Sequence, residues 1–175
     1  MTYHVASTLH HATEDLSVYT PTPISSLFSR LIGAVAVSIE AERDIENIDV
    51  FDLAIDHWVR DAEMARDVVM DILTALKTAI VARAEDEALV AMADIVDAVM
   101  GSEDIADYVH AKERMHEARF SLRCNRIGAT ARRVTQMLEQ CHAQLMVMVQ
   151  MDTYQPDYDP DDLLDGMQHA WPDAA

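Results

Sequence analysis

Apolar residues recur at spacings of three and four through most of the chain, which is the pattern of an α-helix with one buried face. The first run follows Thr22 and Pro23, a capping hydroxyl and a proline at the first helical position, and predicts a helix at 23–46. A second run predicts a helix at about 50–100. Its apolar stripe changes phase near Glu85 to Glu87, which indicates a kink, a break or a rotation of the buried face. The stripe before that change consists of Phe51, Ile55, Trp58, Ala62, Ala65, Val69, Ile72 and Leu76.

The longest regular pattern lies in the second half of the chain and predicts a third helix at about 103–151. Gly128 is its one weak point. Gly101 and Ser102 separate it from the second predicted helix, as a C-terminal glycine followed by an N-cap. The two helices have nearly equal lengths, so the sequence predicts an all-α fold, a long antiparallel hairpin of 50–100 and 103–151 covered by helix 23–46. The apolar seam of the third helix is Phe120, Cys124, Ile127, Ala131, Val134, Leu138, Cys141, Leu145 and Met148.

The covering helix is too short for the whole hairpin, so half of the hairpin needs another partner. Helix 23–46 reaches only residues 50–73, which leaves 74–100 and 104–130 uncovered. We therefore expect a homodimer in which the two uncovered halves pair as a four-helix bundle. In the alternative, the third helix breaks at Gly128 and the pieces fold into a compact monomeric bundle. The apolar residues that need the partner are Leu89, Met92, Val96, Val99, Ile105 and Val109.

The two ends of the chain lack this pattern, so the predicted bundle domain is 22–151. Residues 1–21 are expected to form a mobile N-terminal arm. Residues 152–175 are expected to form an acidic tail, because 151–175 contain seven Asp and no Lys or Arg. Within the tail an amphipathic segment is expected to dock in a groove of a partner or fold back on the bundle, the alternative being a frayed end. Its apolar residues are Leu163, Leu164, Met167 and Trp171.

Composition excludes some classes of partner and location. The chain has 13 basic and 31 acidic residues and a formal net charge of −18, which argues against binding nucleic acid or an anionic membrane. The first fifteen residues lack the apolar core of a secretory signal, and Arg30 interrupts the apolar run from Leu27 to Ile39, so no membrane span is expected. A cytoplasmic location follows as an expectation.

Carboxylate and histidine residues form the first candidate site. Two Glu and His pairs three residues apart occur in the third predicted helix, and such pairs share a helix face where they can bind a transition metal. The hairpin register predicts that five residues converge as a possible divalent-metal site of a ferritin-like bundle. The alternative is that they are solvated or paired across helices. The five are Glu40, His57, Asp61, Glu139 and His142.

A basic stripe is the second candidate site. Residues 112–133 contain seven Lys or Arg and two Glu, a local charge of +5. Arginine suits carboxylates and phosphates, so we expect this stripe to bind an acidic protein, a small anion or the chain's own acidic tail. The alternative is neutralisation by acidic residues of the second helix such as Asp67 and Asp71. The stripe consists of Lys112, Arg119, Arg123, Arg126 and Arg133, with His116 on the same face.

The segment His116-Glu117-Ala118-Arg119 resembles the phosphoacceptor segment of sensor-kinase dimerisation domains, which are helical hairpins that dimerise as four-helix bundles. The resemblance implies histidine phosphotransfer, although the segment lacks the downstream proline and lies on the second helix of the hairpin. The sequence shows no Gly-rich phosphate loop and no Ser-His-Asp or Cys-His signature. We therefore expect a non-enzymatic interaction or regulatory homodimer first, a metal-binding bundle second and a phosphotransfer protein third.

Overall fold

The computed structural model describes residues 19–46, 55–102, 104–122 and 128–154, and these ranges contain five α-helices and no strand. The helices are α1 (Pro23–Glu46), α2 (Ile55–Thr78), α3 (Ala84–Met100), α4 (Ile105–Ser121) and α5 (Ala129–Met148), followed by a short 3-10 helix at Asp152–Tyr154. The all-α fold is confirmed. Most of the predicted arm and tail lies outside the described residues.

The start of α1 is the cap that the sequence predicts. The Thr22 hydroxyl oxygen accepts a hydrogen bond from the Ser25 backbone N–H at 3.0 Å, and the Ser25 side-chain oxygen accepts one from the Thr22 N–H at 2.8 Å. These bonds satisfy backbone donors that the first turn of a helix leaves unpaired. The predicted bounds of 23–46 agree with α1.

The predicted helix 50–100 is two helices, α2 and α3, so of the three outcomes that the phase change near Glu85 to Glu87 indicates, the structure shows a break, between Thr78 and Ala84. The buried side chain of Asp86 holds this break. One carboxylate oxygen accepts hydrogen bonds from the backbone N–H groups of Ala82 (3.3 Å) and Arg83 (3.1 Å), which caps α3. The other accepts from the Thr22 hydroxyl at 2.8 Å. The same carboxylate therefore joins the start of α1 to the start of α3.

The predicted continuous helix 103–151 is also two helices, since α4 ends at Ser121 and α5 begins at Ala129. Gly128 precedes α5 with φ of +141°, a conformation that glycine adopts far more readily than other residues. The break that the alternative interpretation placed at Gly128 is confirmed, and the long hairpin of continuous helices is wrong.

The core lies where α1, α3 and α5 meet, with α2 packed along α1 and α4 packed mainly on α3. The seam predicted for the third helix is buried throughout α5, at Ala131, Val134, Leu138, Cys141, Leu145 and Met148. Phe120, which the pattern places in the same seam, is 72% exposed. The reason is that α4 is a separate helix and buries a different stripe, formed by Tyr108, Ala111, Met115 and Ala118.

The surface proposed for dimerisation is largely covered within one chain. Leu89, Met92, Val96 and Val99 are all buried, because α5 and α1 both pack against α3. The prediction of an uncovered half at 74–100 is therefore wrong. Ile105 and Val109 on α4 remain exposed. Dimerisation itself stays a prediction.

Helix α1 is long and apolar enough to cross a membrane, with a mean hydropathy of 1.5 over its most apolar window. This result rests on length and composition alone, which the single charge of Arg30 does not change, and a buried core helix gives the same result. Half of that window is buried inside the bundle. Its buried residues include Phe28, Leu31 and Val35, which belong to the core cluster.

Candidate functional site

The five residues predicted to hold a metal lie on three helices. His57 Nε2 and Asp61 Oδ2 are 3.5 Å apart on the exposed surface of α2. Glu139 and His142 lie on α5, and Glu40 lies on α1. Because α5 packs mainly on α1 and α3, the register that would join α2 to α5 does not form. Within the described ranges, no three His, Cys, Asp or Glu residues are grouped to share a metal.

His142 faces α4 instead of a metal site. Burial lowers the pKa of its imidazole, a backbone hydrogen bond at Met115 opposes this, and the charges of Arg119 and His116 lower the pKa further. Its Nε2 atom is buried and has no hydrogen-bond partner among the described residues. These surroundings favour the neutral ring, so His142 acts as a packing residue between α4 and α5.

The predicted basic stripe is divided between two helices. Lys112 and Arg119 lie exposed on α4, Arg133 lies exposed on α5, and Arg123 and Arg126 lie outside the described residues. The prediction of one continuous basic helix face is therefore wrong. Two shorter basic patches remain.

The arginines of α5, Arg132 and Arg133, are not neutralised by the acidic residues predicted for this on α2. Arg133 Nη1 donates a hydrogen bond to Gln136 Oε1 at 3.0 Å, on its own helix. In the part of the chain that the structure describes, neither Arg132 nor Arg133 forms an ion pair with Asp67 or Asp71. Their positive charge is therefore available to another anionic group.

Helix α4 carries an outward stripe that the sequence did not reveal as a surface. Five residues at spacings of four, three, four and four form what we call the α4 outer face: Ile105, Val109, Lys112, His116 and Phe120. Its three apolar side chains are 39%, 47% and 72% exposed in chain order. The spacing is visible in the sequence, which predicts Ile105 and Val109 in a dimer interface and Phe120 in the buried seam of the third helix.

The opposite side of α4 is fixed to the end of α5. The Tyr108 hydroxyl donates a hydrogen bond to the backbone carbonyl of Val149 at 2.8 Å. Lys112 Nζ lies 5.7 Å from the centre of the Tyr108 ring, within range of a cation–π interaction. The first turns of α4 are thus held where α5 ends and the C-terminal tail begins.

His116, in the segment that resembles a phosphoacceptor, is exposed on the α4 outer face. Its Nδ1 atom lies 2.8 Å from the backbone carbonyl oxygen of Lys112, a contact that favours the tautomer with the proton on Nδ1. Glu117 beside it is also exposed. Cys141, by contrast, is fully buried, and burial raises the pKa of its thiol to about 12, so it is not a nucleophile in the folded protein.

An apolar groove lies between α1 and α2 on the side away from the core. We call it the α1–α2 groove; it has a volume of about 310 Å³. Val37 and Val68 are 55% and 50% exposed at its walls, while small residues leave the depression between them. The sequence did not predict it, because the groove exists only where two helices meet. It is lined by Arg30, Gly33, Ala34, Val37, Ala65, Val68 and Ile72.

The predicted docking residues of the tail, Leu163, Leu164, Met167 and Trp171, lie outside the described residues. No family model, curated protein sequence or solved structure is significantly similar to the chain. The fold is an all-α helical bundle.

Proposed function

We propose that this protein is a non-enzymatic helical interaction protein that acts as a homodimer, and that the α1–α2 groove is its dimer face. The observation that carries the proposal is the exposed apolar lining of this groove. Val37 and Val68 stand on either side of it, and Met64 is 52% exposed on the same side of α2. Side chains of this kind suit the apolar face of a second helix pair.

The size of this face supports a second copy as the occupant. Helices α1 and α2 each have 24 residues, or about 36 Å at 1.5 Å per residue. Two adjacent helices are about 19 Å wide, from an interaxial distance of about 9 Å and a diameter of about 10 Å. The face therefore offers roughly 700 Å² per protomer, close to the ~800 Å² per partner of a stable interface.

Charges at the edge of the face favour a two-fold arrangement. Arg30 lies on the α1 side, and Asp67 and Asp71 lie exposed on α2. In the described ranges none of these three residues forms an ion pair. A two-fold axis through the groove places α1 of one copy against α2 of the other, so that Arg30 meets an aspartate across the interface.

Light scattering coupled to size exclusion tests the proposal. The parent chain should have twice the monomer mass of 19.6 kDa, and Val68→Glu should reduce it to the monomer because it buries a charge in the groove. Val59→Glu is the matched control, since Val59 is also a partly exposed valine of α2 but lies away from the groove. Circular dichroism at 222 nm checks that both variants fold.

A parent chain that is monomeric at about 100 µM, well above the ~µM dissociation constants at the weak end for interfaces of this size, would contradict the proposal. A dimer that survives Val37→Glu combined with Val68→Glu would contradict the assigned face.

A further inference from the structure

The contact between α4 and α5 contains a buried imidazole nitrogen whose hydrogen-bonding capacity is unused. His142 Nε2 is buried and has no hydrogen-bond partner among the described residues. We propose that His142 makes α4 an acid-sensitive switch, in which protonation of its imidazole releases the second half of α4 from α3 and α5. The switch goes beyond the dimer proposed above, because it lies on α4 and α5 and not in the α1–α2 groove.

The position of His142 suits a neutral ring and not a charged one. A neutral imidazole needs no acceptor at a nitrogen that carries no proton, whereas a protonated imidazole is a donor at both ring nitrogens. Protonation therefore places a buried N–H at Nε2, where the described residues offer no acceptor. A buried donor without an acceptor is unfavourable, and it regains water only if the two helices separate.

The charges around His142 act in the same direction. Burial is the largest cause of its lowered pKa, and the positive charges of Arg119 and His116 lower the pKa further. A hydrogen bond with the backbone of Met115 raises the pKa, but the net shift is downward. Both charged neighbours lie on α4, and among the described residues no charged group of α1 or α3 contributes to the shift. The protonated ring is therefore repelled by α4 itself.

Helix α4 is held more firmly at its start than in its second half. At the start, the Tyr108 hydroxyl donates a hydrogen bond to the Val149 carbonyl at 2.8 Å. In the second half, 113–121, the buried side chains are those of Met115 and Ala118. Hydrophobic stabilisation grows with the apolar area that is buried, so this half, with one large buried side chain, is the part of α4 that opens at the lower cost.

The direction of the pKa shift sets the pH range of the switch. The pKa of His142 lies below its ordinary value of 6.5 while α4 is packed, and it returns toward about 6.5 when α4 opens and water reaches the ring. Protonation therefore favours the open arrangement, and the packed arrangement loses stability as the pH falls below about 6.5. By linkage, the equilibrium constant for opening rises by up to about tenfold between pH 7.5 and pH 5.5.

Hydrogen exchange measured by mass spectrometry on the full-length chain tests the switch. After correction for the intrinsic exchange rate at each pH, the amides of 113–121 should exchange up to about tenfold faster at pH 5.5 than at pH 7.5. The amides of α2 should not change. His142→Gln should abolish the difference, because glutamine does not titrate. His110→Gln is the matched control, since His110 is an exposed histidine of the same helix, and it should keep the difference.

Three results would overturn the proposal. The first is equal corrected exchange of 113–121 at the two pH values in the parent chain. The second is a difference that persists in His142→Gln or extends equally to α2, because the opening would then not depend on this ring. The third needs no variant: an NMR titration of the parent in which the His142 ring has a pKa of 6.5 or above. Val68→Glu tests the dimer separately and should leave the exchange difference unchanged.

Discussion

The side chain of Asp86 gives the sharpest test of how this fold is held together. It is 2% exposed and accepts three hydrogen bonds, from the Thr22 hydroxyl and from the backbone N–H groups of Ala82 and Arg83. Replacement with alanine removes both the cap of α3 and the link between the starts of α1 and α3. The three donors are then left without their acceptor.

The expected loss follows from the burial of each donor. The Thr22 hydroxyl is buried, so its bond to a carboxylate contributes about 2 kcal/mol. The N–H groups of Ala82 and Arg83 are partly buried and gain water after the substitution, so each loses only about 0.5 kcal/mol. Asp86→Ala should therefore lower the free energy of unfolding by about 3 kcal/mol and the Tm by about 6–12 °C for a chain of this size. Asp86→Asn keeps one acceptor oxygen and should lose about half as much.

Urea unfolding at pH 7, followed by circular dichroism at 222 nm, measures this loss. Glu87→Ala is the matched control, because Glu87 is the next residue in the first turn of α3 and is exposed. A double-mutant cycle with Thr22→Val should give a coupling energy of about 1–2 kcal/mol. The prediction is refuted if Asp86→Ala lowers the free energy of unfolding by less than about 1 kcal/mol, or by no more than Glu87→Ala does. Either result would mean that the hydrogen bonds of Asp86 do not stabilise the fold.

Two further predictions concern Gly128, which precedes α5, and His142, which lies within it. Gly128→Ala should lower the free energy of unfolding by about 1–3 kcal/mol, because a φ of +141° is strained for alanine. The added Cβ itself meets no atom within 4 Å, so backbone strain is the expected cause. An unchanged urea midpoint would show that the backbone at residue 128 adjusts without cost. His142 has a lowered pKa in the folded protein, so its contribution to stability is fully present above the unfolded value of about 6.5 and is lost as pH falls below that value. Below that pH, the urea midpoint of the parent should therefore fall more than the midpoint of His142→Gln. Parallel pH profiles of the two midpoints would contradict the prediction.

The candidate surfaces were predictable only in part. The apolar spacing of Ile105 and Val109 was visible in the sequence, and so was the charge of Lys112. That these residues face solvent was not, because the pattern alone gives the same signal for a core face and for an exposed docking face. The predicted metal cluster fails to assemble for a related reason. Its convergence depended on α2 packing against α5, and long-range packing brought α5 to α1 and α3 instead.

The sequence by itself determined the properties that depend on neighbouring residues. The start of α1 at Thr22 and Pro23, the turn at Gly101, and the buried stripes of α2, α3 and α5 all follow from caps and from the 3.6-residue period. These features depend on residues that are close together in the chain, so they can be predicted from the sequence alone.

Only the tertiary structure decided where the long helices divide and which faces meet. The phase change near Glu85 to Glu87 predicts a kink, a break or a rotation, and the structure shows a break between Thr78 and Ala84, where the Asp86 carboxylate that caps α3 also accepts a hydrogen bond from Thr22, 64 residues away. The separation of α4 from α5 lets α4 bury Tyr108 and Met115 and turn Phe120 toward solvent, against the phase that α5 follows. A periodic stripe specifies that a face is buried but not what covers it, because that choice depends on contacts between segments distant in sequence.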